Sequence, residues 1–109
     1  MPVESFATRA ASPGKPVEPN QGGRVFIVDD DTHLRALMSR WLEQAGFTPE
    51  AFGDAESCLR ALSRSIPDAV LLDLEMPGLG GMACLSRLKE RHPLLPVLIL
   101  TAASSVNSV

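Results

Sequence analysis

Acidic and hydroxyl side chains follow three short apolar runs of this sequence. The runs span residues 25–28, 69–72 and 97–100, and a continuous apolar run is typical of a strand buried on both faces of a parallel sheet. The polar residues that follow them are, in chain order, Asp29 with Asp30 and Asp31, then Asp73, then Thr101. Because the carboxyl ends of parallel strands share one edge, where open α/β sheets bind ligands, we expect these side chains to lie together.

The chemistry that such a cluster predicts is phosphoryl transfer. Carboxylates held close together repel one another, and a divalent cation relieves that repulsion. Oxygen ligands without nearby histidine or cysteine favour Mg²⁺ over zinc, and Mg²⁺ held by few carboxylates keeps positions that phosphate oxygens fill. One carboxylate can then act as nucleophile and become an aspartyl phosphate, while the Thr101 hydroxyl hydrogen-bonds a phosphoryl oxygen.

The segments between the runs predict the helices that position this cluster. An apolar stripe at helical spacing, which includes Trp41 as an expected core residue, begins after Asp31 or Thr32 as the cap and ends near Gly46. Residues 47–52 form a weaker strand, which Pro49 confines to a sheet edge. Two more helices are expected. The second helix should bury Ala55, Cys58, Leu59 and Leu62, and the third should bury Met82, Leu85 and Leu88. The resulting βαβαβαβ order predicts an α/β fold, a parallel sheet covered by helices on both faces.

Composition narrows the function classes further. The 109 residues carry a formal net charge of −3, which offers no electrostatic footprint for nucleic acid or an anionic membrane. Residues 1–23 are rich in proline and glycine and predict a flexible leader, so the folded domain is expected over 24–109. Cys58 and Cys84 follow no metal spacing and are interpreted as buried, reduced thiols. Without a signal peptide or a membrane span in the sequence, we expect a cytoplasmic protein.

Three strings of the sequence together resemble the receiver domain of two-component response regulators. Val-Phe-Ile-Val-Asp-Asp-Asp from Val25 is similar to the family's first strand and acidic pair, and Pro-Val-Leu-Ile-Leu-Thr-Ala from Pro96 to its fourth strand. The most specific string is Leu-Asp-Leu-Glu-Met-Pro-Gly around Asp73, which resembles the phosphorylation strand and its turn. The resemblance implies a flavodoxin-like, doubly wound sheet of order 2-1-3-4-5.

The resemblance also implies a role for each site residue. Asp73 would accept the phosphoryl group from a histidine kinase or phosphotransfer protein, with Mg²⁺ as cofactor. Asp30 would bind the metal directly, Asp29 largely through water, and Glu75 through its backbone carbonyl. Thr101 would be the switch hydroxyl. Beside these, Ala102 would leave room for the phosphoryl group, and Pro77 and Gly78 would shape the loop. The chain would be a signalling phosphoacceptor that assists its own phosphorylation and dephosphorylation, rather than an enzyme.

The family pattern continues beyond Val109 with the rest of a fourth helix, a fifth strand and a last helix. In the family, the fifth strand ends on a lysine. The lysines of this sequence, Lys15 and Lys89, do not occupy the matching position. We therefore expect a C-terminally incomplete receiver with weakened phosphorylation or output. Its fourth strand would form an exposed apolar edge that invites self-association. The sequence leaves open whether the chain or its reading frame is shortened, or whether a partner completes it.

Two other functions compete with a phosphorylated receiver. One is a pseudo-receiver, an interaction module that no longer uses phosphorylation, which the missing lysine suggests. The other is a phosphatase similar to the haloacid dehalogenases, whose Asp-x-Asp start fits Asp29–Asp31. That family expects Thr or Val where His33 stands, and it gives no role to the string around Asp73.

Overall fold

The computed structural model describes residues 22–78 and 80–100, and these residues form an alternating α/β unit. Its elements are β1 (Arg24–Val28), α1 (Thr32–Gln44), β2 (Thr48–Phe52), α2 (Ala55–Leu62), β3 (Ala69–Asp73), α3 (Gly81–Arg91) and β4 (Val97–Leu100). All strand pairs are parallel, and the strand order is β2-β1-β3-β4. The predicted fold class is therefore confirmed, with the Pro49 strand at one edge and β4 at the other.

Aspartate side chains cap the N-termini of the first two helices. Asp31 is the N-cap of α1, where its Oδ1 accepts hydrogen bonds from the amides of His33 and Leu34, at 2.9 and 3.1 Å. Asp54 is the N-cap of α2, and its Oδ1 accepts from the amide of Ser57 at 2.7 Å. Each cap satisfies amides that a helix leaves without a partner at its start.

The main core lies between the sheet and the pair of helices α2 and α3. Alternate residues of the two central strands enter it, since successive strand side chains point to opposite faces. Its members from these strands are Phe26, Val28, Val70 and Leu72. Helix α2 contributes the four residues that were expected to be buried, and the side chain of Cys58 is completely buried. The four residues are Ala55, Cys58, Leu59 and Leu62.

The inward face of α3 differs from the predicted one. Gly81, Cys84 and Leu88 are buried, whereas Met82 is 61% exposed. The expectation for Met82 was therefore wrong, while Leu88 is buried and Leu85 packs partly against the core. Glycine at the buried position allows the helix to approach the sheet closely, which rotates Met82 outward.

The opposite sheet face is covered by α1, which contacts β1 and β2. Met38 is the buried residue of this helix, whereas Leu34, Leu37 and Trp41 are exposed, Trp41 at 57%. The prediction that Trp41 is a core residue was therefore wrong. Helix α1 lies over one half of the sheet, and among the described residues no helix covers the other half of this face.

The remaining expectations fall partly outside the described residues. This applies to residues 1–21 of the expected leader and to the segment 101–109. Gly22 is described, and its amide donates a hydrogen bond to the Gly46 carbonyl at 2.7 Å. Within the described part of the chain, no helix has the length and apolarity needed to cross a bilayer.

Candidate phosphoacceptor and metal site

The end of β1 presents two of the acidic side chains. Asp29 directly follows the strand and is 3% exposed, and its amide donates a hydrogen bond to the Phe52 carbonyl at 3.1 Å. Its Oδ1 accepts a hydrogen bond from the amide of Asp31 at 2.9 Å. Asp30 is exposed. One carboxylate is thus fixed inside the site, and its neighbour faces solvent.

The end of β3 presents the third. Asp73 is the last residue of the strand, and its Oδ1 accepts a hydrogen bond from the amide of Glu75 at 3.0 Å. The parallel register pairs Val28 with Leu72, so Asp29 and Asp73 each follow a paired residue on neighbouring strands. The expected convergence at the carboxyl edge is therefore observed for these residues.

The oxygens of Asp29, Asp30 and Asp73 form a cluster. One carboxylate oxygen from each lies within 4.8 Å of the others. Among the described residues, no lysine or arginine forms an ion pair with this cluster. A donor set of three carboxylates without histidine or cysteine fits a hard divalent cation such as Mg²⁺.

The electrostatics of Asp29 show the strain that a cation would relieve. Burial raises the pKa of this carboxyl, and the negative charges of Asp73, Asp30 and Asp31 raise it further. The hydrogen bond from the Asp31 amide works in the opposite direction, because it stabilises the charged form. A buried carboxylate among like charges is destabilised until a cation binds beside it.

Arg35 is a site-supporting residue that the sequence analysis missed. Its Nη1 donates a hydrogen bond to the backbone carbonyl of Asp29 at 2.8 Å, which ties the first turn of α1 to the end of β1. This hydrogen bond fixes the position of the Asp29 backbone. The available signal was a cation in the first turn of a helix, where the dipole disfavours positive charge unless an acceptor is present.

The other predicted site residues have mixed outcomes. Glu75 is exposed, and the role of its carbonyl as a metal ligand stays a prediction. Gly78 has a φ of 72°, a left-handed conformation that favours glycine in the loop after Pro77. Thr101 and Ala102 lie outside the described residues. β4 ends at Leu100, which pairs with Asp73 in the sheet register.

A parallel sheet of order 2-1-3-4 with an acidic cluster at its carboxyl edge defines a receiver-type α/β domain. The family model for the response regulator receiver domain matches residues 25–109. The chain therefore belongs to the response regulator receiver domain family. Domains of this family are phosphorylation-dependent switches of two-component signalling. This match does not favour the phosphorylation-independent alternative.

Individual relatives agree with this assignment. The chain is 43% identical over 88 residues to the DNA-binding transcriptional regulator NtrC of Escherichia coli K12, a match covering 81% of the chain and 19% of that protein. It is 37% identical over 82 residues to the C4-dicarboxylate transport regulator DctD of Rhizobium meliloti, covering 75% of the chain and 18% of the relative. The chain thus spans about a fifth of these curated relatives.

Solved structures resemble the fold to a similar degree. The N-terminal domain of a response regulator receiver protein from Methanoculleus marisnigri JR1 matches with a TM-score of 0.69 at 35% identity, covering 73% of this chain and 67% of that one. The BeF3-activated receiver domain of nitrogen regulatory protein C matches with a TM-score of 0.67 at 43% identity, covering 79% and 69% of the two chains.

Proposed function

We propose that Asp73 is the phosphoacceptor of a receiver domain spanning 24–109, and that a histidine kinase or phosphotransfer protein is the donor. The observation that carries this proposal is the convergence of Asp29, Asp30 and Asp73 within 4.8 Å at the carboxyl edge of the sheet. Asp29, Asp30, Asp73 and the Glu75 carbonyl would hold Mg²⁺. When bound, it supplies positive charge that offsets the phosphoryl oxygens.

The residues of the chain divide the remaining work. Glu75 donates its amide to Oδ1 of Asp73 and so orients the carboxylate, leaving Oδ2 to attack phosphorus. The bond from phosphorus to the donor's imidazole nitrogen breaks as the bond to Asp73 forms, which gives an acyl phosphate. Arg35 and Asp31 position Asp29 through its carbonyl and its carboxylate. Thr101 is proposed to hydrogen-bond the phosphoryl group once it is in place.

The test uses the 109-residue chain, Mg²⁺ and a small phosphodonor such as phosphoramidate. Intact mass spectrometry should show a gain of about 80 Da that hydroxylamine removes, as expected of an aspartyl phosphate. Asp73→Asn should show no such gain. Asp54→Asn is the matched control, because it makes the same change at the cap of α2 and leaves the cluster intact. A hydroxylamine-sensitive adduct on Asp73→Asn would disprove the assignment of Asp73 as the phosphoacceptor.

We also propose that the β4 edge mediates self-association. β4 lies at the edge of the described sheet, has neither charge nor proline, and exposes Leu98 (51%) and Ile99 (38%). The other edge is protected, since Pro49 lacks an N–H and Glu50 forms an ion pair with Arg24 at 3.7 Å. An apolar edge without such protection is a template for a second chain. We further propose a cytoplasmic location, the compartment expected from the sequence.

A further inference from the structure

A groove runs between α2 and α3 and continues onto the loops that follow them. Its first part has a volume of about 310 Å³ and lies between the two helices. Its second part, of about 470 Å³, lies between the loop before β3 and the loop before β4. Ile66, Arg91 and His92 line both parts, so the two parts are continuous. The phosphoryl chemistry described above uses none of these residues.

The first part of the groove carries positive charge on its α3 side. Arg87 and Arg91 both line it, and both are exposed on one face of the helix because they are four residues apart. The helix dipole favours a cation at Arg91 in the last turn, but its effect fades before Arg87. Among residues 22–78 and 80–100, no carboxylate forms an ion pair with either guanidinium. Since like charges at this spacing repel, an anion bound beside them would relieve the repulsion.

The second part of the groove presents apolar side chains to solvent. Ile66 is 53% exposed and Leu94 is 93% exposed. Three prolines line the same part, at positions 67, 93 and 96. Because proline fixes its φ angle, this wall has less conformational freedom to lose when a ligand binds. A small molecule held between the helices would leave Leu94 in water, whereas a polypeptide segment lying along the groove would cover it.

The charges along the groove are asymmetric. Arg87 lines only the first part and Asp68 only the second, and Asp68 is the one acidic residue among the described residues that line either part. Its Oδ2 accepts a hydrogen bond from the amide of Arg24 at 2.7 Å, which fixes this carboxylate at the start of β1. A segment whose carboxylates face the arginines and avoid Asp68 would therefore bind in one orientation.

We propose that this groove docks an acidic segment of a partner protein. An apolar side chain of the segment, such as leucine or phenylalanine, packs on the three buried leucines that line the first part, Leu59, Leu62 and Leu88. Neighbouring glutamate or aspartate side chains pair with Arg87 and Arg91.

The proposed docking site is separate from the proposed acceptor site. Helix α3 begins at Gly81, which packs on the Asp73 carbonyl, and ends at Arg91, about 16 Å further along its axis. The groove also includes Asp68 and Pro96, which directly precede β3 and β4. It therefore lies towards the amino edge of the sheet, whereas the acidic cluster lies at the carboxyl edge. A phosphodonor and the docked segment can bind at the same time.

The experiment selects binders from a phage-displayed library of random peptides on the 109-residue chain and measures one enriched peptide by fluorescence anisotropy. We expect the enriched sequences to place glutamate or aspartate beside leucine or phenylalanine, and their affinity to fall as salt rises. Arg87→Gln and Arg91→Gln should each weaken binding about fivefold, whereas Arg40→Gln on α1 should leave it unchanged. Ile66→Ser should also weaken binding. Its control is Met82→Ser, at a side chain of α3 that is 61% exposed and does not line the groove.

Four outcomes would overturn the proposal. The first two are a selection that enriches no acidic sequence and peptide binding that neither arginine variant weakens. Displacement of the peptide by octanoate, a small apolar acid, at a similar concentration would overturn it in favour of a small-molecule site. Self-association of the chain that Arg91→Gln abolishes would make the occupant a second copy. Asp73→Asn should bind the peptide like the wild type, so failure of the acceptor assignment leaves this result unaffected.

Discussion

Asp29 and Asp73 lie on neighbouring parallel strands, and the negative charge of Asp73 contributes to the raised pKa of Asp29. Burial is the larger cause, because Asp29 is 3% exposed. The pair therefore stores electrostatic strain in the metal-free protein. Such a cluster favours cation binding and destabilises the chain when no cation is bound, and both effects can be measured.

Removing the charge of Asp29 should stabilise the metal-free chain and weaken metal binding. Asp29→Asn keeps an oxygen for the hydrogen bond from the Asp31 amide while it relieves repulsion and desolvation. We expect a gain on the order of 1 kcal/mol in unfolding free energy at pH 7 and a loss of about 10-fold in Mg²⁺ affinity. Urea denaturation with and without Mg²⁺ measures both, and Glu43→Gln, an exposed charge removal on α1, should change neither.

The same pair predicts a pH dependence of stability without metal. Because the folded-state pKa of Asp29 lies above the ordinary value of 3.8, the folded chain binds this proton more tightly than the unfolded chain does. The Asp29 contribution to stability should therefore fall as pH rises from about 3.8 through the raised pKa. Subtracting the urea titration of Asp29→Asn from that of the wild type isolates it. A difference that stays flat over this window would contradict the prediction.

Loss of the Arg35 guanidinium should loosen the end of β1. Arg35→Met keeps the aliphatic stem but removes the hydrogen bond to the Asp29 carbonyl. We expect a loss of about 1–2 kcal/mol in unfolding free energy, together with weaker Mg²⁺ binding. Isothermal titration calorimetry and urea denaturation measure the two effects. Arg40→Met, an exposed change on the same helix, is the control, and equal behaviour of the two variants would refute the positioning role.

A methyl group at Gly81 should separate α3 from β3. The added Cβ would collide with the backbone of Leu74 and Asp73, which cannot move aside as a side chain can. Gly81→Ala should lower the unfolding free energy by about 2–3 kcal/mol. Gly46→Ala has open space but a φ of 95°, so it should cost about 1 kcal/mol through backbone strain alone. Thermal unfolding that ranks the two variants in the reverse order would disprove the packing argument.

A charge on the β4 edge should prevent self-association. Leu98→Lys places a lysine on the open strand, where pairing with a second chain would have to bury it. Sedimentation velocity at increasing concentration should show the wild type associating and this variant remaining monomeric. Leu94→Lys makes the same change at a side chain that is 93% exposed and outside the strand. Equal association of both variants and the wild type would rule out β4 as the interface.

Several features followed from the sequence alone. The apolar runs before Asp29 and Asp73 predicted buried parallel strands, and the common edge of such strands predicted that the two carboxylates would meet. Pro49 predicted an edge strand because it lacks an amide donor, and β2 is an edge strand. Asp31 was predicted, with Thr32 as the alternative, to cap the first helix, and it is the N-cap of α1. These are local constraints of backbone hydrogen bonding and strand alternation, which a sequence expresses directly.

Other features were decided by the tertiary structure. The stripe through Trp41 has helical spacing, but spacing does not say which part of a stripe another element covers, and α1 covers only one half of a sheet face. The close approach allowed by Gly81 turned Cys84 inward and Met82 outward. Arg35 and Asp29 are only six residues apart, but the hydrogen bond between them requires α1 to pack against the end of β1. Cys58 and Cys84 entered one buried core because distant segments came together. Helix rotation and contacts across long loops depend on the packing of whole elements, and the order of residues in one segment does not contain that information.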